Sequence, residues 1–140
     1  MEKSKSFKEM WLAQVNEPKQ MKDIVKFNQE NRLFELDIKP MSVNSCWKGK
    51  RFKTQEYLSY EKLVISKLPR IISLPEPPYR IFYEFGFSNN LSDYDNPIKP
   101  FQDILQKYYK FNDKLIYSAT IEKLIVPKGK EYIKFYIQTY

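Results

Sequence analysis

The sequence contains no histidine, and this absence excludes several kinds of catalytic site. Without histidine the chain cannot build a Ser-His-Asp or Cys-His arrangement, a His-metal nuclease motif or an ordinary catalytic zinc site. Cysteine is almost as scarce: Cys46 is the single one, so no internal disulfide or thiolate cluster can form. Because Cys46 also lacks a histidine partner, we expect it to be a packed thiol and not a nucleophile.

Long apolar runs are missing as well. No stretch approaches the roughly 18 apolar residues that a membrane-spanning helix needs. The N-terminal residues MEKSKSFKEMW do not contain the apolar core of a signal peptide. Together with the single cysteine, these features predict a cytoplasmic protein, and the abundance of Lys, Ile, Asn and Tyr favours a bacterial or phage origin.

The overall composition fits one globular domain. The chain has 140 residues, of which 42% are hydrophobic and 16% aromatic, too many for a disordered chain. Lys and Arg total 24 against 17 acidic residues, which gives a formal net charge of +7. A basic globular domain favours a polyanionic partner such as nucleic acid. A lysine-rich surface without such a partner is the alternative.

The first 31 residues differ from the rest. They carry 6 basic and 5 acidic residues, so +6 of the net charge of +7 belongs to residues 32–140. Apolar residues at helical spacing in FKEMWLAQV and QMKDIVKF predict two short amphipathic helices separated by Pro18. We therefore predict an N-terminal helical extension, residues 1–31, and one domain, residues 32–140. The extension is expected to pack on the domain; covering a sheet edge or binding a partner are the alternatives.

The domain sequence alternates between strand and helix patterns. LFELDI and YRIFYEFGFS predict strands, and SCWKGKRFKT predicts a hairpin or an exposed loop. A first helix is predicted over residues 55–68, with Thr54 as N-cap, and a second in NPIKPFQDILQKYYK, with Asn96 as N-cap. The buried face of the first helix is predicted to consist of Tyr57, Tyr60, Leu63, Val64 and Leu68.

The last two predicted strands are KLIYSATIEKLIV and EYIKFYIQTY. The segment PKGK lies between them and predicts a hairpin. The whole order of elements predicts an α+β fold, with a single mixed β-sheet and two main helices packed on it.

Two carboxylates stand together in the segment SDYDNPIKP, between the second strand and the second helix. In a strand, residues two apart point the same way and lie about 6.5–7 Å apart. Asp93 and Asp95 are therefore predicted to face together, where a hard cation such as Mg²⁺ would relieve their repulsion. The alternative is a pair of turn aspartates beside a helix cap.

Three further charged residues bear on this pair. Lys99 lies in the first turn of the predicted helix, where a cation can contact a phosphate oxygen or stabilise a leaving oxygen. Asp113 follows the helix and would return to the pair if the helix packs back on the sheet. Asp103, within the helix, is interpreted as a solvent-facing residue.

A run of basic residues lies in the predicted loop, with Trp47 and Phe52 interleaved. Basic and aromatic side chains together suit a DNA backbone and unstacked bases. A solvated hairpin is the alternative. The basic residues are Lys48, Lys50, Arg51 and Lys53.

These motifs together resemble the RusA family of Holliday-junction resolvases over about residues 32–140. PMSVNSCW resembles the family's P-x-S-x-N element, and FKTQEYLSYEKLV resembles the helix that follows. DYDNPIKPFQDIL is similar to the signature D-x-D-N-x-x-K-P-x-x-D-x-L. NDKLIY and the C-terminal hairpin complete the resemblance.

The resemblance implies a homodimeric, Mg²⁺-dependent endonuclease, with Mn²⁺ as an alternative metal, that nicks four-way DNA junctions symmetrically in recombination and repair. A branched-DNA binding protein, or a nuclease for flaps and other branches, is the alternative. The family often has an Asp-Asp pair where this chain has Asn112 and Asp113, and the loop before them is about one residue short. The implied metal ligands are Asp93, Asp95 and Asp113, which are catalytic together with Lys99. The implied DNA-binding residues are Asn44, Lys48, Lys50, Arg51 and Lys53.

Overall fold

The computed structural model of the protein describes residues 34–49, 52–70 and 74–140. The two helices predicted within residues 1–31 lie outside the described residues, and so do Lys50 and Arg51 of the basic loop. Neither helix of the described part is long and apolar enough to cross a membrane.

The described residues form an α+β domain, as predicted. In chain order the elements are β1 (Phe34–Leu36), β2 (Trp47–Lys48), β3 (Phe52–Lys53), α1 (Gln55–Lys67), β4 (Tyr79–Phe87), α2 (Ile98–Tyr109), β5 (Ile116–Ile125) and β6 (Tyr132–Thr139). One short 3₁₀ helix precedes β2, Val43–Ser45, and another precedes β5, Asp113–Leu115. Four strands make one mixed sheet, in the order β1-β6-β4-β5, and β2 and β3 pair separately as a two-stranded ribbon.

The last two strands do not form the predicted hairpin. β5 and β6 flank β4 on opposite sides, β5 parallel to it and β6 antiparallel. The turn in PKGK exists, because Lys130 N–H donates to the carbonyl of Pro127 at 2.9 Å. That turn carries the chain across the end of β4, where Val126 N–H donates to the carbonyl of Phe87 at 2.7 Å. β4, with six of its nine residues buried, therefore lies in the interior of the sheet with a neighbour on each side.

The core lies between one face of the sheet and the two helices. Phe101 of α2 contacts the rings of Phe135 and Tyr83, with centroids 5.5 and 5.9 Å apart. α1 adds four of its five predicted buried residues, but Leu63 is 45% exposed and that part of the prediction is wrong. Glu61 is buried in its place.

The caps of the two helices differ from one another. Thr54 caps α1 as predicted, since its hydroxyl accepts from Tyr57 N–H at 3.1 Å. The prediction that Asn96 caps α2 is wrong, because α2 begins at Ile98 and Pro97 takes the cap position without a side-chain hydrogen bond. Asn96 belongs to the turn that precedes the helix, and this turn contains the two candidate carboxylates.

Candidate functional site

Asp93 and Asp95 lie in the connection between β4 and α2, and both are exposed. They do not extend the strand, because β4 ends at Phe87, so the prediction that strand geometry makes them face together is wrong. The segment folds as a turn: Asn96 N–H donates to the carbonyl of Asp93 at 3.3 Å, and Ile98 N–H to that of Asp95 at 3.1 Å. We call residues 93–96 the acid turn. It presents its carboxylates to solvent at the N-terminus of α2.

Two other parts of the chain hold the acid turn in place. Lys123 of β5 donates a short hydrogen bond to the carbonyl of Ser92, directly before the turn. On the other side, Val43 N–H donates to the carbonyl of Asn96 at 2.9 Å. Asn44 follows Val43 and is exposed, with its N–H bonded to the hydroxyl of Ser42 at 3.2 Å. The P-x-S-x-N segment therefore supports the acid turn directly.

Lys99 lies in the first turn of α2, but its ammonium group points along the helix. It donates to the carboxylate of Asp103 at 2.7 Å, with the lysine side chain 60% exposed. This hydrogen bond raises the pKa of Lys99, and the negative charge of Asp113 adds to the effect. The interpretation of Asp103 as merely solvent-facing is wrong, because Asp103 is half-buried and is the acid that pairs with the candidate lysine.

Asp113 begins the 3₁₀ helix before β5, and its side chain is exposed. Its N–H donates to the side-chain carbonyl of Gln106 at 3.0 Å, and the amide of Gln106 donates to Asp103 at 3.3 Å. Asn112 caps the same 3₁₀ helix, since its side chain accepts from Lys114 N–H at 3.0 Å. Asp113 is thus connected to Asp103 through Gln106.

The three predicted metal ligands do not form a cluster. Within residues 34–49, 52–70 and 74–140, no three side chains of His, Cys, Asp or Glu are grouped so that they could hold a metal ion. The topology gives a reason, because β4 and β5 are parallel with Tyr79 beside Ile116. Asp113 precedes β5 and therefore lies towards the start of β4, whereas Asp93 and Asp95 follow the end of that strand.

The residues present therefore do not fit a preformed three-carboxylate metal site. Asp93 and Asp95 alone do match the one or two carboxylates with which proteins hold Mg²⁺ when water and phosphate oxygens complete its coordination. Asp113 instead interacts with Lys99, because its negative charge raises the pKa of that lysine.

The ribbon of β2 and β3 carries the other predicted DNA-binding residues. Lys48 is exposed, and so are Trp47 at 42% and Phe52 at 73%. Lys53 is turned inward: it donates to Glu61 at 2.5 Å, and its ammonium lies 5.3 Å from the centre of the Tyr57 ring. The ribbon thus has an outer side with Lys48 and Phe52, and an inner side with Trp47 and Lys53 that faces α1.

Glu61 and Lys107 are charged residues that the sequence interpretation missed. Glu61 is 6% exposed, and its two oxygens accept from Lys53 at 2.5 Å and from Lys107 at 3.2 Å. Burial raises the pKa of Glu61, but the hydrogen bonds and charges of the two lysines outweigh it and the net pKa is lowered. The available signal was the position of Glu61 four residues after Tyr57, on the buried face of α1.

Cys46 is a packed thiol, as predicted. It is 1% exposed, and its sulfur lies 3.4 Å from the carbonyl of Ser42. Burial, followed by the negative charges of Asp103 and Glu61, raises the pKa of the Cys46 thiol to about 11. A thiol in this state is a poor nucleophile at neutral pH.

Comparison with known proteins adds no relative: no protein-family model matches the sequence, and no curated protein matches it. The groups that bear on function are therefore the acid turn, Lys99 with its carboxylate partner, and the ribbon. The acid turn and Lys99 lie at or near the N-terminal half of α2. The ribbon lies on the side of α1 that faces α2.

Proposed function

We propose that this protein is a RusA-like, metal-dependent endodeoxyribonuclease that resolves four-way DNA junctions by paired symmetric nicks in recombination and repair. The observation that carries the proposal is the acid turn, with two exposed carboxylates at the N-terminus of α2 and Lys99 in the first turn of that helix. The positive end of a helix dipole favours an anion. A phosphate at this helix end would lie beside both the acids and the lysine.

Each of these residues has a separate task in the proposal. Asp93 and Asp95 would hold Mg²⁺ or Mn²⁺, which when bound polarises the phosphodiester and lowers the pKa of a water molecule. Lys99 exchanges its hydrogen bond with Asp103 for one with a phosphate oxygen and stabilises the negative charge that develops there. Asp103 and Asp113 keep Lys99 protonated, since both raise its pKa.

The proposed DNA contacts rest on the basic residues around this turn. Residues 32–140 carry a net charge of +6, with 18 basic and 12 acidic residues. Exposed Lys48 and Asn44 lie on or beside the ribbon and suit backbone contacts, and Lys50 and Arg51 occupy its connection in the sequence. Binding through such residues releases counterions, so the affinity is expected to fall steeply with salt.

A homodimer belongs to the proposal, because paired nicks in two strands need two sites related by a two-fold axis. Among the described residues, β5 has no strand on its outer side and is a ten-residue edge. An open edge of this length is a template for pairing with a second β5 strand. Sedimentation of the purified protein checks this, and a monomer that nicks both strands of one junction in a single binding event would contradict it.

A second candidate function is the binding of branched DNA without cleavage. It is favoured by the absence of a three-acid cluster among the described residues and by the hydrogen bond that occupies Lys99. A nuclease for flaps or other branches would be a further variant of the same site. Both alternatives predict the same affinity for branched DNA as junction resolution does. They differ from junction resolution in the DNA products.

A panel of labelled DNAs tests the proposal: a mobile four-way junction, a fork, a flap and a linear duplex, each with Mg²⁺, Mn²⁺ or a chelator. We expect symmetric nicks in the four-way junction only, in both metals and not with the chelator. Junction binding without nicks in either metal supports the second candidate. Nicks in the flap and not in the junction support the branched-DNA nuclease, and the absence of any DNA binding at low salt contradicts all three.

A further inference from the structure

A cavity of about 240 Å³ lies between the ribbon and the two helices, next to Lys99 but separate from the acid turn. Trp47 and Lys53 line it from the ribbon, Tyr57 and Glu61 from α1, and Asp103 and Lys107 from α2. Asp103 also accepts the hydrogen bond from Lys99, so one carboxylate connects the cavity with the candidate lysine. The residues of the acid turn do not line the cavity, and the function proposed above does not use it.

One wall of the cavity is aromatic. The indole of Trp47 is 42% exposed although its ring meets that of Tyr57 at 6.1 Å with an interplanar angle of 72°. Because this is an edge-to-face contact, the two rings do not stack on one another. An exposed indole in the lining of a cavity is a platform on which a planar ring can stack.

The cavity also offers fixed hydrogen-bond donors. The buried carboxylate of Glu61 binds Lys53 at 2.5 Å and Lys107 at 3.2 Å, which holds one ammonium group from the ribbon and one from α2 at the cavity. Each ammonium has three N–H donors, and Glu61 engages one of them. The others are available to the ring nitrogens and carbonyl oxygens of a ligand.

We propose that this cavity binds one unstacked nucleobase of the DNA strand whose phosphate lies at Lys99, an inference that rests on the nuclease function proposed above. Pockets for drug-sized ligands measure about 300–1,000 Å³, so a smaller cavity suits a single planar ring system. A branched DNA supplies such a base at little cost, because bases at a branch point lose stacking partners. Stacking on Trp47, with hydrogen bonds from Lys53 and Lys107, positions the strand so that its phosphate reaches Lys99.

Fluorescence of 2-aminopurine at the branch point of a four-way junction tests the inference in Ca²⁺ buffer without Mg²⁺. We expect wild-type protein to quench the fluorescence of this base. Trp47→Ala should abolish the quenching and weaken junction binding about 5- to 150-fold, the range that ~1–3 kcal/mol of stacking on one aromatic side chain implies. Trp47→Phe should restore much of both.

Two comparison variants make the result specific. Phe52→Ala removes the more exposed ring of the same ribbon, which does not line the cavity, and should keep the quenching. Lys107→Gln removes the ammonium group that α2 places at the cavity, so it should reduce the quenching. Lys62→Gln on α1 should not.

The possible outcomes separate the inference from the function on which it rests. Junction binding with equal quenching in wild type and Trp47→Ala overturns the inference and leaves the nuclease proposal standing. Loss of quenching in Phe52→Ala but not in Trp47→Ala places the base on the outer side of the ribbon and also overturns it. Absence of junction binding by wild-type protein overturns the proposed function itself.

Discussion

The ammonium group of Lys99 donates a 2.7 Å hydrogen bond to the carboxylate of Asp103, one turn further along the same helix. Lys99 lies four residues from Asp95 and four residues from Asp103, so either pairing was open to it. The pairing with Asp103 leaves Asp95 exposed in the acid turn and keeps the lysine charged close to it. The carboxylates that could bind a metal are therefore not neutralised by the neighbouring cation.

Asp103→Asn should strengthen DNA binding. The change removes one negative charge and releases Lys99 to contact phosphate, so we expect affinity to rise about 3- to 10-fold and log Kd to depend more steeply on log salt, by about 0.9. Fluorescence anisotropy across a salt series measures both. The matched control is the same change in a Lys99→Gln background, where only the smaller gain from the lost negative charge is expected; an equal gain there would show that Lys99 is not the group released.

Glu61→Gln should destabilise the fold, because the buried carboxylate is the common partner of two lysines. We expect a loss of ~1–3 kcal/mol at pH 7 in urea unfolding, the range for hydrogen bonds to a charged group. Glu122→Gln changes an exposed acid of β5 and should stay within the ~0.5 kcal/mol typical of surface substitutions.

The pH dependence of the Glu61 effect follows from its lowered pKa. The folded state favours the ionised carboxylate, so its contribution is complete above the ordinary Glu pKa of about 4.3 and is lost as pH falls through the lowered value. The difference between wild type and Glu61→Gln should therefore narrow from pH 7 towards pH 3. A difference that stays constant across this range would contradict the assignment of ionised Glu61.

Cys46 should react slowly with thiol reagents in the folded protein. With a pKa of about 11, roughly one thiol in a thousand is ionised at pH 8, and the side chain is 1% exposed. An aromatic disulfide reagent at pH 8 should label the unfolded chain more than about 100-fold faster than the native one. Equal rates in native buffer and in urea would show that the thiol is accessible.

Local sequence signals predicted the parts of the fold that local contacts determine. The cap at Thr54 and the strand β4 both depend on neighbouring residues and are confirmed. The segment PKGK makes its turn in either topology, and the competition for the edges of β4 decides which strand lies next to which. A turn signal carries no information about that competition.

The candidate site shows the same division between local and distant information. Asp93, Asp95 and Lys99 lie in one short segment and were identified together, although the turn that contains the two acids was only the alternative to a strand. The partners of Glu61 come from 8 residues before it and 46 residues after it in the chain, so no spacing rule could identify them. The separation of Asp113 from the acid turn depends on the parallel pairing of β4 with β5, which sequence patterns did not indicate.

Gly86→Ala should destabilise the sheet at the point where β4 meets β6. A Cβ atom at Gly86 would lie 2.5 and 2.6 Å from ring carbons of Tyr132, whose hydroxyl donates to Glu84 at 2.8 Å. The ring has to move and give up this hydrogen bond, so we expect a loss of ~1–3 kcal/mol. In a Tyr132→Ala background the same change should cost much less in thermal unfolding, and an equal cost in both backgrounds would place its cause in the backbone.

The most direct test of the central claim is the single-turnover rate at which Asp95→Asn nicks a four-way junction in Mg²⁺, measured with its Kd for the same DNA in Ca²⁺. We expect the rate to fall at least about 100-fold while the Kd stays within about threefold, because the lost carboxylate holds the metal and not the DNA. Asp37→Asn makes the same change at an exposed aspartate outside the acid turn and should leave both values unaltered. Wild-type nicking by Asp95→Asn would contradict the assignment of the acid turn as the catalytic site.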